Sequence, residues 1–331
     1  MAFLSRRHLV RRAAAAVVLG GLVPHARAQT AFPQRPIRIL VGFAAGGGND
    51  VITRILAQKL SEGPIGQVLV DNRTGASGLV AADMLAKAAP DGTTLMVAAQ
   101  TTYCVAPVLY KSTTTFDAQR DVAGVALLGA SPLVLVVNPT FPAKTLAELI
   151  DMAKAKPGAL NFASGGVGTT PHMAAELFLF NAGIRMTHVS YRGEAPAIAD
   201  VLANQVPMVF ANVSVVTGQV KSGALRAIAV TSPKRAPGLP DVPTLAEAGL
   251  KSTDVETWFG LTAPAGTPRD IITRLNAEVR KALDAPDLQK RFAELSLSVT
   301  PSSPEELDAL IKSEAARWSD VIRQADIKAP G

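Results

Sequence analysis

This 331-residue sequence predicts an α/β protein built on open, mostly parallel sheets, and three observations predict it. Short apolar runs alternate with amphipathic stretches along the chain. The runs are apolar almost throughout rather than alternating, as parallel strands covered on both faces are. The stretches between them carry helix-start chemistry: Asp50 ahead of an apolar stripe, and the reciprocal pairs Thr145/Glu148 and Ser303/Glu306. The length suits two units rather than one.

The first element is a leader rather than part of the fold. Residues 1–28 hold five Arg (Arg6, Arg7, Arg11, Arg12, Arg27) and no acid. The apolar stretch Ala13–Val23 is too short to span a bilayer as a helix. Ala26-Arg27-Ala28 is a small-x-small cleavage site, so the exported chain is expected to begin at Gln29. The paired Arg after Ser5 is similar to a twin-arginine signal; general export, or an uncleaved membrane anchor, are the other readings. Without the leader, 28 basic residues face 27 acidic ones. That near-neutral body lacks the basic footprint of a nucleic-acid binder.

The strands follow in order: Ile37–Phe43, Val68–Val70, Leu95–Ala99, Leu133–Val137, Val206–Phe210 and Ala227–Val230. The helix opening at Asp50 has Val51, Ile52, Ile55, Leu56 and Leu60 as its apolar face. Pro171 and Pro268 stand where first helical residues belong. The Pro-rich run Ser232–Pro243 reads as a linker. The chain is expected to cross between two lobes near Leu127–Leu133 and return near Trp258–Ala263. Lobe one is then 32–130 plus 262–331, and lobe two 131–261, with a cleft between them.

Two strand–glycine–helix segments carry the strongest functional signal. In the first, Ile39–Asp50, Phe43, Ala44, Gly46, Gly47, Asn49 and Asp50 form a glycine loop leading into a helix. Glycines let backbone approach a ligand, and the helix start offers unpaired N–H groups that suit a carboxylate or phosphate. The glycines are consecutive, so the dinucleotide fingerprint is not met. The second, Asn161–His172, repeats this logic with Ser164, Gly168, Thr169, Thr170 and His172. One such loop per lobe suggests a clamp on a single ligand. His172 reads either as a carboxylate donor or as a polar first-turn residue. Tyr191 offers a hydroxyl and Arg192 a two-pronged donor. Gln100, Thr101 and Asn212 follow strands, where open α/β sheets keep their ligands. Trp258 reads either as a closure sensor or as core.

Enzyme templates are absent: no nucleophile elbow, no zinc-protease helix, no phosphate-binding P-loop. Past the leader only His172 and His188 are available as imidazole bases. His172 and Glu176 at i, i+4 make a weak metal pair, since catalytic zinc takes three protein ligands. Cys104 is the one cysteine, which excludes an internal disulfide and fits a packing residue. No catalytic residue, metal or cofactor is expected.

The run Phe32-Pro33-x-Arg35-Pro36-Ile37-Arg38 ahead of the Phe-Ala-Ala-Gly-Gly-Gly loop resembles the mature start of Bug-type proteins, the TctC-like receptors of tripartite tricarboxylate transporters. Asp71-Asn72-Arg73, Ala89-Pro90-Asp91-Gly92, Leu133–Pro139, Tyr191-Arg192-Gly193, Leu239–Thr244 and Trp258–Pro268 extend the resemblance over the whole exported chain. It implies a two-lobed periplasmic-binding-protein fold of the Venus flytrap type II. It also implies a monomeric periplasmic receptor, a small carboxylate ligand, and delivery to a membrane permease. A periplasmic sensor feeding a signalling receptor is the alternative, and an enzyme acting on a carboxylate a more distant one. The resemblance assigns the ligand grip, partly through water, to Phe43–Asp50 and Ser164–His172. The chain departs from the family pattern at Gly42 (usually Pro), Asn49 (usually Thr or Ser), Pro207 (commonly Asp) and Ala211 (usually Asp). Losing carboxylates at 207 and 211 argues against a ligand with a free amine. Citrate-like acids, C4 dicarboxylates, aromatic acids and neutral amino acids all remain open.

Overall fold

A computed structural model describes residues 32–33, 35–112, 114–251, 253–324 and 327–328; the expected leader and its expected cleavage site lie outside them. The strands form one ten-stranded sheet whose eight-strand path is β2-β1-β3-β9-β4-β7-β5-β6, with β8 and β10 also paired to β4. They are β1 (Ile37–Val41), β2 (Val68–Asn72), β3 (Thr94–Ala99), β4 (Val122–Val137), β5 (Asn161–Ser164), β6 (Thr187–Ser190), β7 (Met208–Asn212), β8 (Arg226–Val230), β9 (Glu256–Pro264) and β10 (Ser298–Val299).

The path falls into two wings because β4 changes partners along its length. Residues 122–132 pair with β9, and residues 133–137 pair with β7 and β8. The first wing holds β1, β2, β3, β9 and β10; the second holds β5 to β8. Parallel pairing, expected for most of the strands, is confined to the outer ones: β1 with β2 and β3, and β5 with β6 and β7. The centre is antiparallel, because chains crossing between wings in opposite directions must lie side by side. β9 lies in the first wing from Glu256 onward.

β4 runs 16 residues, far beyond the apolar stretch that marks its end. Gly124, Gly129 and Pro132 would normally punctuate a strand. Here the glycines are demanded by close approach. A Cβ on Gly124 would lie 2.7 Å from the Pro304 carbonyl oxygen, and one on Gly129 would collide with the Ser298 carbonyl of β10. The pairing shifts register at two places beside them.

The helices flanking the cleft start as their sequences dictate, with one difference. Helix α1 (Gly48–Ser61) begins after Gly47, so Asp50 lies in the first turn rather than at the cap. Its buried face is Ile52, Ile55, Leu56 and Leu60. Helices α2 (Leu79–Ala86) and α3 (Ala106–Leu109) flank a π-helical turn, Thr101–Val105. Helix α4 (Leu146–Ala155) has both halves of the Thr145/Glu148 capping box. Helix α5 (Thr170–Ala182) starts behind Thr169, whose hydroxyl accepts the His172 N–H. Helices α6 (Glu194–Leu202), α7 (Val213–Lys221), α8 (Arg269–Leu283), α9 (Pro286–Glu294) and α10 (Pro304–Gln324) complete the layers. The Ser303/Glu306 pair opens α10 with both reciprocal bonds formed.

Tyr103, Phe162, Phe178, Phe210 and Trp318 belong to one buried cluster. Trp258 is also in it, 5% exposed, which favours the core reading. Cys104 is buried and donates to the Ile311 carbonyl, and burial pushes its thiol well above the ordinary range. Among the described residues no helix is long and apolar enough to cross a membrane.

Candidate functional site

The two glycine loops face one another. β1 ends in the loop leading to α1, and β5 ends in the loop leading to α5. Between them lies a cavity lined by Phe43, Ala44, Gly47, Asn49, Thr101 and Thr169 among others. Gly48 and Thr170, the first residues of α1 and α5, also line it, so a helix start from each wing meets the same space. The wings touch directly here. The Thr101 and Thr170 hydroxyls are 3.0 Å apart, and the Ser77 hydroxyl donates to the Val167 carbonyl at 2.5 Å.

Asp50 builds the first loop instead of facing the cavity. Its buried carboxylate accepts from the Gly46 N–H at 2.9 Å, from Arg54 Nε at 3.0 Å and from Asn72 Nδ2 at 2.9 Å. Asn72 Nδ2 also donates to the Phe43 carbonyl. Burial alone would raise the Asp50 carboxyl; Arg54, the Gly46 N–H and Asn72 more than reverse this and hold it below the usual range. A depressed value means the contribution is present above the unfolded value, near 3.9, and is lost as pH falls through the folded value. Asp50→Asn is therefore expected to cost about 2 kcal/mol at pH 7 and less at pH 3, which is below the unfolded value. Denaturant titrations at the two pH values check this; an equal cost at both would remove the charge from the explanation.

The second loop is braced from behind. His172 Nδ1 accepts the Gly168 N–H at 3.2 Å, and Nε2 lies 3.4 Å from Glu176. Both ring nitrogens thus face partners within the second wing, which fits the first-turn reading of His172 rather than a ligand donor. No third metal-type residue joins His172 and Glu176 among the described residues. Ser164 Oγ is 2.7 Å from His188 Nε2 and bonds Gly166. Burial, with His172 4.2 Å away ring to ring, brings His188 down to about 3.

The other expected residues divide between the cavity and its surroundings. Asn212 lines the cavity. Gln100, though buried, turns away, its Nε2 donating to Glu314 of α10 at 2.6 Å. Tyr191 and Arg192 line a wider outer mouth with Ser77, Gly78 and Tyr110. There the Tyr191 hydroxyl donates to Asp200 at 2.6 Å. Gly168 has φ +77° and packs against Leu109 and Val105 of the first wing.

Glu194 and Thr257 also line the cavity, and sequence reasoning did not assign either to it. An acid in a first helical turn reads as a partner of the helix dipole, which hides Glu194. Thr257 is brought in by β9, whose partner residues in β4 are 124 or more positions away in sequence. Glu194 Oε1 accepts the Asn212 N–H at 2.5 Å, and Oε2 accepts Asn212 Nδ2 at 3.0 Å. The Gly48 N–H donates to the same carboxylate from the opposite wing. Burial raises its carboxyl, and these three N–H groups oppose but do not cancel the rise.

A sequence profile for the tripartite tricarboxylate transporter family receptor (TctC) matches residues 52–327. The chain belongs to this receptor family. A Pseudomonas sp. protein from the tcbD-tcbE intergenic region is 40% identical to this TctC-family chain, covering 94% of it and 93% of the relative. Protein BugT of Bordetella pertussis is 33% identical, with 94% and 95% covered. Among solved structures, a Rhodopseudomonas palustris protein with adipate superposes with TM-score 0.87 at 32% identity, covering 90% of this chain and 99% of that one. MatC from Rhodopseudomonas palustris with bound malate gives 0.83 at 32% identity, covering 88% and 100%. The periplasmic binding protein BugD also superposes, with TM-score 0.85 at 31% identity over 90% of this chain and 99% of that one, and this TctC-family receptor has the two-lobed periplasmic-binding-protein fold.

Proposed function

We propose that this protein is an exported receptor that captures a small carboxylate between its two wings and presents it to a tripartite tricarboxylate transporter permease. The observation that carries the reading is the meeting of two helix starts, at Gly48 and Thr170, on one cavity. Each brings the positive end of a helix dipole to the cavity, with the Gly48 N–H already held by Glu194 and the His172 N–H by Thr169. Relatives solved with adipate and malate support the same ligand class. Contacts from both wings favour the closed form, because only that form makes them all at once. The lobes are taken as 32–130 with 262–331, and 131–261, with the return crossing moved back to Glu256, where β9 joins the first wing. The leader is cleaved after Ala28, and the mature chain works as a periplasmic monomer.

Binding without catalysis is part of the proposal. The Ser164–His188 pair is poorly suited to nucleophilic chemistry: Ser164 is fully buried, and an imidazole at about 3 is too weak a base at neutral pH. Thermal unfolding against a panel of organic acids tests the reading. A ligand at a hundredfold its Kd adds about 2.7 kcal/mol, which raises Tm by several degrees. A rise confined to carboxylates is expected; no rise with any acid, from folded and ligand-free protein, would overturn the carboxylate clamp. Loss of uptake of that acid in a strain lacking the protein tests delivery to the permease.

A further inference from the structure

The cavity's inner wall is rich in acceptors and carries one ionisable side chain. That side chain is Glu194; no Lys, Arg or His lines the space. Asn49 and Asn212 line the same cavity, and their amide oxygens have no hydrogen-bond partner although both atoms are buried. Asn212 is 5% exposed, and its amide is oriented by Glu194: Nδ2 donates to that carboxylate, which leaves Oδ1 as the free end. Thr257, also buried and lining the cavity, has an unpartnered hydroxyl. Buried acceptors without partners are costly, and native proteins keep them where something else completes the bonds.

These atoms restrict what completes them. Amide oxygens accept and never donate, so the ligand must bring N–H or O–H groups. A carboxylate beside them repels a second ligand carboxylate and attracts a cation. We infer that Glu194, with the amide oxygens of Asn49 and Asn212, forms a subsite that selects an ammonium, so that the ligand is an amino acid rather than a plain dicarboxylate. This rests on the receptor reading above, with the helix starts and hydroxyls receiving the ligand's carboxylate. It also reverses the expectation drawn from Pro207 and Ala211. The acid absent from those positions is supplied by Glu194, one strand–helix unit earlier in the chain. Selection by unmet buried hydrogen bonds is strong, because an analogue lacking the donor leaves the acceptors bare.

The test uses acids that share a skeleton and differ by one group: succinate, malate and aspartate; glutarate, 2-hydroxyglutarate and glutamate; hydrocinnamate, phenyllactate and phenylalanine. Affinities are measured by calorimetry at neutral pH for the protein and for Glu194→Gln, which keeps the acceptor oxygen and removes the charge. In the best-bound series the ammonium member is expected to bind at least about tenfold more tightly than its partners, the size of a charge-assisted bond. Glu194→Gln is expected to bring the three within about threefold of one another. A plain or hydroxy acid binding as tightly as the amino acid overturns the inference and leaves the carboxylate clamp standing; this comparison needs no variant. An ammonium preference that survives in folded Glu194→Gln removes Glu194 as its source. Binding by no acid of any series overturns the clamp and the subsite together.

Discussion

Replacing Gly168 with valine is expected to abolish ligand capture while most of the fold survives. Two independent effects act at this position. Gly168 has φ +77°, where a β-branched residue is strained by about 1–3 kcal/mol. Its Cβ would also lie 2.8 Å from Leu109 Cδ1 and 3.4 Å from Val105 Cγ1. Both belong to the first wing, so the added methyls push against the opposite wall of the cleft. The strain acts in every state of the protein, whereas the clash acts only when the wings meet. Ligand affinity is therefore expected to fall at least about a hundredfold, more than the loss of stability accounts for. Gly168→Ala, with less bulk, should fall between. Calorimetric affinities beside Tm values check the separation. Affinity within about threefold of the parent in Gly168→Val would sink the two-loop clamp.

Trp318→Ala is expected to give the largest loss of stability. Trp318 is fully buried on α10, on the face that also buries Leu307, Ile311 and Ile322. Its indole N–H donates to Glu314 at 3.1 Å. Truncating a large buried aromatic side chain costs about 3–5 kcal/mol. In a chain of this size that lowers Tm by roughly 10 °C. The damage should reach the ligand site, because α10 backs the turn that carries Thr101. Glu314 accepts from Gln100 at 2.6 Å, and the Ile311 carbonyl receives the Cys104 thiol. A scanning-calorimetry shift under about 3 °C would show that α10 docks without this side chain.

The glycine loops were legible in the sequence because their signal is local. A strand, consecutive glycines and a helix start occupy about twelve residues, and φ/ψ freedom with unpaired N–H groups needs no long-range partner. Phe43, Ala44, Gly47, Asn49, Thr101, Thr169, Thr170 and Asn212 all reach the cavity wall. Asp50, Ser164 and His172 lie in the same loops but point behind them, to Gly46 and Arg54, to His188, and to Gly168. Side-chain direction within a loop depends on which neighbours pack behind it, and pattern does not encode that. Gln100 turns away for the same reason: its partner, Glu314, is 214 residues further along the chain.

By itself the sequence determined the α/β class, the strands β1, β2, β3, β7 and β8, the helix caps at Thr145 and Ser303, and the two glycine-loop helix starts. Each is a property of a few neighbouring residues: backbone freedom, apolar periodicity, or a side chain within reach of its own backbone. Tertiary structure alone decided the rest. It drew β4 out to 16 residues through Gly124 and Gly129, because only glycine admits the carbonyls of Pro304 and Ser298 at those points. It set the central strands antiparallel, because the chain crosses between wings in both directions. It also placed the Glu194 carboxylate against Asn212 and the Gly48 N–H. A charge near a cleft acquires its role from the opposite wall, and that wall is assembled only when both wings come together.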